Sequence, residues 1–274
     1  MSEETREQPQ LEALPEPEGP QTMLVIAAHH DDIEFGMAGS VARWTEAGHT
    51  VHYVVITDGG AGSNEPGVVR AELAETRRAE QIAAAEAVGV TDVRFLDYPD
   101  GVLQPTMELR RDLTRIIREL KPYRVACQDP TTIFAGDFYI NHPDHRAAGE
   151  AAIYAVFPSS ESRPIFPELL AEGYEPHKVT ELVMTLTMKP THYVDIGPTI
   201  DKKIASLRCH ASQIGAGEDA DNGALKWIRE RNGEGGKQVG VDYAEHFRRM
   251  VFVRPQADED ANEPAETETV ASGE

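Results

Sequence analysis

Cysteine is scarce in this chain: Cys127 and Cys209 are the two present among 274 residues. Two thiols so far apart exclude a disulfide framework. Cys209 stands beside His210 and reads as a ligand, a nucleophile or a buried thiol of the core; His210 reads as core packing. Long apolar runs are missing too. No stretch approaches the roughly 20 apolar residues that cross a bilayer, so membrane insertion is not expected. Basic residues are in deficit, 26 against 47 acidic ones, for a formal net charge of −21. Phosphate backbones are held by clustered lysine and arginine, so a nucleic-acid partner is not expected either. The first 22 residues are acidic and proline-rich, the reverse of a basic-then-apolar export signal. A soluble protein of the cytoplasm is expected.

The negative charge is concentrated at the ends. Met1–Thr22 holds six acidic residues and one basic one; Gln256–Glu274 holds seven acidic residues and no basic one. Segments this polar bury too little apolar surface to offset the entropy of ordering them. Residues 1–22 and 256–274 are therefore expected as disordered tails around a single domain spanning 23–255. With 40% hydrophobic residues overall, the chain can bury a sizeable core.

Within that domain, apolar runs alternate with helical patterns. Met23–Ala28 (MLVIAA) reads as a strand buried on both faces. Gly36–Ala47 reads as a helix closed by Gly48, and Thr50–Thr57 as a second strand. Val69–Val88 reads as a long helix closed by Gly89. Val93–Asp97 is the third strand, Met107–Leu120 a helix, Arg124–Gln128 the fourth strand, and Asn141–Val156 a helix with Asn141 as N-cap. Beyond Phe157 the regularity weakens. Val179–Thr187 and Thr191–Ile196 read as an antiparallel pair joined at Lys189–Pro190, and Ile200–His210 as a helix. The pattern predicts an α/β fold: a Rossmann-like, mostly parallel β-sheet with helices on both faces and an irregular C-terminal third. In such sheets ligands gather at the carboxyl ends of the strands.

Chemistry appears at two of those ends. The first strand runs into His29-His30-Asp31-Asp32, and the loop after the fourth runs into His142-Pro143-Asp144-His145. A parallel sheet puts both tetrads on one edge. Zinc takes imidazole nitrogen and carboxylate oxygen, and a catalytic site uses three protein ligands and leaves room for water, which the metal acidifies. Hydrolysis also needs a carboxylate free to take a proton and a donor for the oxyanion. Two histidines and one aspartate as ligands leave an aspartate and a histidine for those tasks. The bland alternative is that both tetrads cap helices.

At these residues the sequence resembles the LmbE-like or PIG-L deacetylases. The resemblance covers roughly Met23 to Met250. It is carried by AHHDDIEFGMAGSVARW, by ITDGGAGS, by RRAEQIAAAEAVGV, by FLDYPDG and by NHPDHRAAGEAA, with KKIASLRCHASQ and YAEHF further on. It implies His29, Asp32 and His145 as ligands of one Zn2+ per subunit. It also implies Asp31 as general base, His142 as the group that stabilises the oxyanion or protonates the leaving amine, and Asp144 as the residue that holds and polarises His142. Arg77 matches a substrate-binding arginine, or is an exposed helix residue. Asp100 matches a sugar-hydroxyl contact, or is a turn aspartate. His30 stands where the family usually has proline and is either a spacer or an additional ligand. The resemblance implies removal of an N-acetyl group from an N-acetylglucosamine-type sugar conjugate, and a homo-oligomer, trimer or hexamer. The rivals are a dinuclear metal phosphoesterase and a non-catalytic sugar- or metal-binding protein of the same fold. The attached part of the substrate would be read by the loops Asp58–Gly67, Asp129–Ile140 and Phe157–His177.

Overall fold

A computed structural model describes residues 10–252. Its strands are β1 (Glu12–Ala13), β2 (Thr22–Ala27), β3 (Thr50–Thr57), β4 (Asp92–Tyr98), β5 (Arg124–Gln128), β6 (Phe134–Ala135), β7 (Tyr139–Ile140), β8 (Glu181–Thr185), β9 (His192–Asp195) and β10 (Ala244–Val251). The helices are α1 (Asp32–Gly36), α2 (Ala38–Glu46), α3 (Arg70–Ala87), α4 (Met107–Leu120), α5 (Pro143–Tyr154), α6 (Pro167–Ala171), α7 (Ile200–Arg208), α8 (Ala211–Ile214), α9 (Glu218–Ala220) and α10 (Lys226–Val239). Eight strands form one sheet in the order β1-β9-β10-β8-β5-β2-β3-β4, and β6 pairs with β7 in a separate hairpin. Within the eight-stranded sheet only β10 runs against its neighbours. No helix among the described residues is long and apolar enough to cross a membrane.

The covering of both faces follows from β2. Met23, Val25 and Ala27 pack against Val41 and Trp44 of α2 and Ala85 of α3. Leu24 and Ile26 pack against Leu113 and Ile117 of α4 and Ala148 and Ala151 of α5. Alternate residues of a strand point to opposite faces, so an unbroken apolar run must be covered twice. Because β2 and β5 are parallel neighbours, the segments that leave their carboxyl ends start side by side.

Three expectations need correction. The helix expected over 36–47 is two, because Met37 at φ −154° separates α1 from α2. That break moves the helical start back to Asp32, inside the first tetrad. The strands expected as an antiparallel pair, β8 and β9, do not touch: β10 lies between them. Its second half, Arg248 to Val251, pairs with β8, and its first half, Ala244 to Phe247, pairs with β9. The short link from β8 to β9 therefore crosses β10 near its middle. Finally, the N-terminal tail is not wholly without structure. Glu12 and Ala13 pair with His192 and Tyr193, Leu14 is buried in the core, and Arg124 Nη2 donates to the Pro15 carbonyl at 2.7 Å. One buried leucine and one buried donor fix a segment that its composition leaves free. The remainder of the two tails, 1–9 and 256–274, lies outside the described residues, as do residues 253–255 at the end of the expected domain.

Candidate active site

Ala28 carries β2 to the sheet edge. Its carbonyl accepts from Thr57 N at 2.9 Å and from Thr57 Oγ1 at 2.8 Å, and its N–H donates to Gln128 Oε1 at 3.3 Å. The ends of β2, β3 and β5 are thus stitched together before the first tetrad begins. The second tetrad opens α5, with Pro143 in the first turn, where its fixed φ suits a helix. The N-cap is His142, whose Nδ1 accepts from Asp144 N at 3.2 Å; it is not Asn141.

The two tetrads meet. Asp32 Oδ1 lies 3.0 Å from His145 Nε2, and Asp32 Oδ2 lies 3.4 Å from His29 Nδ1. The other side of the His29 ring is held by carboxylates as well, with Nε2 at 3.2 Å from Asp100 Oδ1 and 3.3 Å from Asp144 Oδ2. His142 stands edge-on to His29, ring centroids 4.7 Å apart, and 5.4 Å from His145.

The charges are unequally shared. Burial alone would lower the pKa of His29, but the charge of Asp32 and hydrogen bonds to Asp100, Asp144 and Asp32 push it up to about 12. Burial opposes the ionisation of Asp32, yet His145 and His29 hold its carboxyl well below the usual range. Asp31 moves the other way: burial and the charge of Asp32 raise it to about 7, against the pull of Arg77. Two neighbouring carboxylates driven apart in this manner suit one to hold a cation and the other to exchange a proton.

The donor set fits zinc. Atoms of His29, His142 and His145 lie within 4.8 Å of one another, as do atoms of His29, Asp100 and Asp144. Asp32 is not in the first cluster but reaches two of its members, one through each oxygen. Separations of 3.0 and 3.4 Å match the edge of a tetrahedron built on metal–ligand bonds of roughly 2 Å, about 3.3 Å. Imidazole surrounded by carboxylates is also an environment that favours a positive charge.

Asp144 departs from its expected task. Its carboxylate is 4.0 Å from His142 Nδ1 and accepts instead from Gly101 N at 2.8 Å and Leu103 N at 3.1 Å. Its link to His142 is the backbone N–H that caps the helix. That bond leaves the ring proton of neutral His142 on Nε2, and burial together with the charge of His29 lowers the pKa of His142. His30 turns away from the cluster. Its ring is buried, stacks on Phe95 at 5.3 Å and 18°, and has no partner at either nitrogen. Burial, then Arg77, lowers its pKa to about 3. Gly59 leaves the room, since a Cβ there would come within 2.6 Å of His30 Nδ1.

Arg77 is not the exposed helix residue of the bland reading: it is 3% exposed. Its Nη2 donates to the His30 carbonyl at 2.6 Å and its Nη1 to the Gly59 carbonyl at 3.0 Å, with Asp31 Oδ2 at 3.5 Å. Asp100 is buried, and its Oδ2 accepts from Ala61 N at 2.9 Å. Four residues around the site were given no part in it by the sequence, where Asn141 read as an N-cap, His210 as core packing, and Gln81 and Glu34 had no reading. Asn141 places Oδ1 at 3.0 Å from His145 Nδ1. Gln81, Glu34 and His210 form a fully buried row behind Asp31. Only the third dimension brings them there, although a polar residue on the buried face of a helix, as Gln81 is on α3, is a usable signal.

The family model described as "PIG-L: GlcNAc-PI de-N-acetylase" matches residues 24–156. A diacetylchitobiose deacetylase of Thermococcus kodakarensis is 34% identical over 82% of this chain and 82% of its own. The solved structure of the N,N'-diacetylchitobiose deacetylase from Pyrococcus horikoshii superposes with a TM-score of 0.77 and 32% identity, covering 84% of each chain. A 4-oxalmesaconate hydratase of Pseudomonas putida is 27% identical over 70% of this chain and 74% of its own. The fold is thus that of the PIG-L deacetylases, a mixed α/β sheet flanked by helices. This chain belongs to the PIG-L family.

Proposed function

We propose that this protein is a zinc-dependent hydrolase that removes the acetyl group from the nitrogen of an N-acetylglucosamine-type sugar conjugate. One observation carries the reading: Asp31, whose carboxylate meets Arg77 at 3.5 Å and no histidine, stands beside Asp32, whose two oxygens meet His145 at 3.0 Å and His29 at 3.4 Å. A binding site alone needs the second and has no use for the first. The identity and coverage of the diacetylchitobiose deacetylases support the substrate class.

His29, Asp32 and His145 would hold the metal, which when bound supplies Lewis acidity to water and to the amide carbonyl. Asp31 takes a proton from the attacking water and returns it to the leaving nitrogen, so that amide and water give acetate and amine. His142 donates its Nε2–H to the developing oxyanion, a role its capped Nδ1 prepares. Asp144 and Asp100 keep the His29 ring in place from the far side. Asp100 also lies close enough to Arg77, 3.8 Å, for the two to meet sugar hydroxyls together. The hairpin β6–β7, with Phe138 92% exposed, leads directly into His142 and is a candidate to read the attached group. A cytoplasmic trimer or hexamer completes the proposal, and light scattering of the purified protein measures its assembly.

The hydratase relative marks the second reading, addition of water to a carbon–carbon double bond. Acetate release decides between them. Zinc-loaded enzyme is offered N-acetylglucosamine, N,N'-diacetylchitobiose and N-acetylglucosaminides with malate or inositol attached. Release of one acetate per amine formed is the expected result; no acetate from any of them, with turnover of an unsaturated tricarboxylate of the oxalmesaconate type, would overturn it.

A further inference from the structure

The residue proposed as the base has an unusual backbone. Asp31 sits at φ 93° and ψ −24°, a left-handed conformation that residues with a Cβ adopt reluctantly. The peptide unit between His30 and Asp31 sets that angle, and both of its polar atoms are held by α3. The His30 carbonyl accepts from Arg77 Nη2 at 2.6 Å, and the Asp31 N–H donates to Gln81 Oε1 at 3.1 Å. Arg77 and Gln81 are four residues apart, so one turn of helix presents them on the same face. Both are buried, at 3% and 0% exposure.

A glutamine can present either end of its amide, and only the oxygen can accept from Asp31 N–H. The choice is made one layer further in. Gln81 Nε2 donates to Glu34 Oε1 at 3.1 Å, and His210 Nε2 lies 3.2 Å from Glu34 Oε2. A carboxylate only accepts, so Glu34 requires the NH2 end of Gln81 and turns its oxygen towards Asp31. Glu34 and His210 are themselves 0% exposed, and no solvent competes for the Gln81–Glu34 bond.

We infer that Gln81, with its orientation fixed by Glu34 and His210, is a positioning residue: together with Arg77 it clamps the His30–Asp31 peptide and so aims the Asp31 carboxylate. This rests on the reading of Asp31 as the base. Catalytic groups held within about half an ångström of the productive geometry depend on such supports, and a small misplacement costs rate more than binding.

The test is a double-mutant cycle on the zinc-loaded enzyme. Gln81→Met keeps the volume and removes the hydrogen bonds. It is expected to lower kcat about 10- to 100-fold while KM and bound zinc stay within about twofold. In an Asp31→Asn background the same substitution should cost less than about twofold, because a clamp has no effect on a base that is absent. If Gln81→Met leaves kcat unchanged, or if its loss is undiminished beside Asp31→Asn, the clamp is refuted. Full activity in Asp31→Asn alone is a different failure: it removes the base, and with it the clamp's purpose. Should Gln81→Met not fold, Glu34→Gln serves in the same cycle. It preserves shape and leaves the Gln81 amide free to turn. A several-fold loss of kcat that vanishes in Asp31→Asn supports the clamp; no loss, or one that persists, refutes it.

Discussion

Asn141 Oδ1 lies 3.0 Å from His145 Nδ1, and the Asn141 amide is held in turn by donation from Nδ2 to the Thr132 carbonyl at 2.9 Å. The asparagine oxygen only accepts, so Nδ1 is the donor of that contact and Nε2, beside Asp32, is the nitrogen turned to the cluster, where a bound cation would meet it. Supports of this kind typically contribute 10- to 100-fold to metal affinity. Asn141→Ala is expected to weaken zinc binding by about that much in a chelator competition titration, and Asn141→Asp to retain it. Equal affinity in Asn141→Ala would leave the contact without a role at the metal.

Metal content separates the ligands from their neighbours. His29→Ala, Asp32→Ala and His145→Ala are each expected to lose most bound zinc by elemental analysis while the fold survives. Asp31→Ala and His142→Ala are expected to keep zinc and lose roughly 10²–10⁴-fold in kcat. Zinc lost from His142→Ala and kept by Asp32→Ala would move the site to the three-imidazole cluster.

His30 offers a test by restoration of the family's residue. Its ring faces Phe95 and not the cluster, and its backbone N–H has no hydrogen-bond partner among the described contacts. His30→Pro should therefore keep zinc affinity and kcat within about threefold, since at the backbone proline removes an uncommitted donor and the lost ring stacks on Phe95, away from the cluster. A drop of tenfold or more in affinity would give the ring a part in the site.

Glu181 provides a pH test far from the metal. Burial pushes its carboxyl up, but the hydrogen bond from Arg249 and the charge of Arg124 hold it below the usual range. A carboxyl lowered on folding stabilises the protein above its unfolded pKa, and that share is lost as pH falls through the lower folded value. Glu181→Gln is expected to cost about 3 kcal/mol at pH 7, as removal of one partner of a buried pair does. The gap to the parent protein should narrow below about pH 4.5. Denaturant melts at pH 7 and pH 3.5 measure it, and a gap that is constant or widens in acid contradicts the assignment.

Much of this molecule could be read before it was seen, for identifiable reasons. β2, β3 and β5 announce themselves because strands covered on both faces are rich in apolar residues, and the tetrads stand beyond the ends of β2 and β5. β10 stayed hidden. AEHFRRMV carries charge at both halves, and Glu245 is buried because Lys203, Ser40 and the N–H of Gly39 surround its carboxylate. α10 is masked by Gly233, Gly235 and Gly236, which lower helix propensity; Ile228 and Asn232, both buried, anchor it. The roles of Asn141, Gln81 and Glu34 could not be read from spacing, because each depends on which amide or imidazole the folded chain puts opposite it.

The placement of β10 has a consequence for biogenesis. Among the described residues, the last strand in the chain is also the one that joins the two halves of the sheet. Until it arrives, β8 and β9 each show an unpaired edge, and an edge of that kind accepts any strand that fits. Through Glu245 the same strand caps the start of α2, which follows α1 and the His29–Asp32 tetrad. A nascent or nicked chain ending before Ala244 thus lacks both its seam and the brace behind its candidate site, and its open β8 and β9 edges are exposed to pairing with strands of other chains.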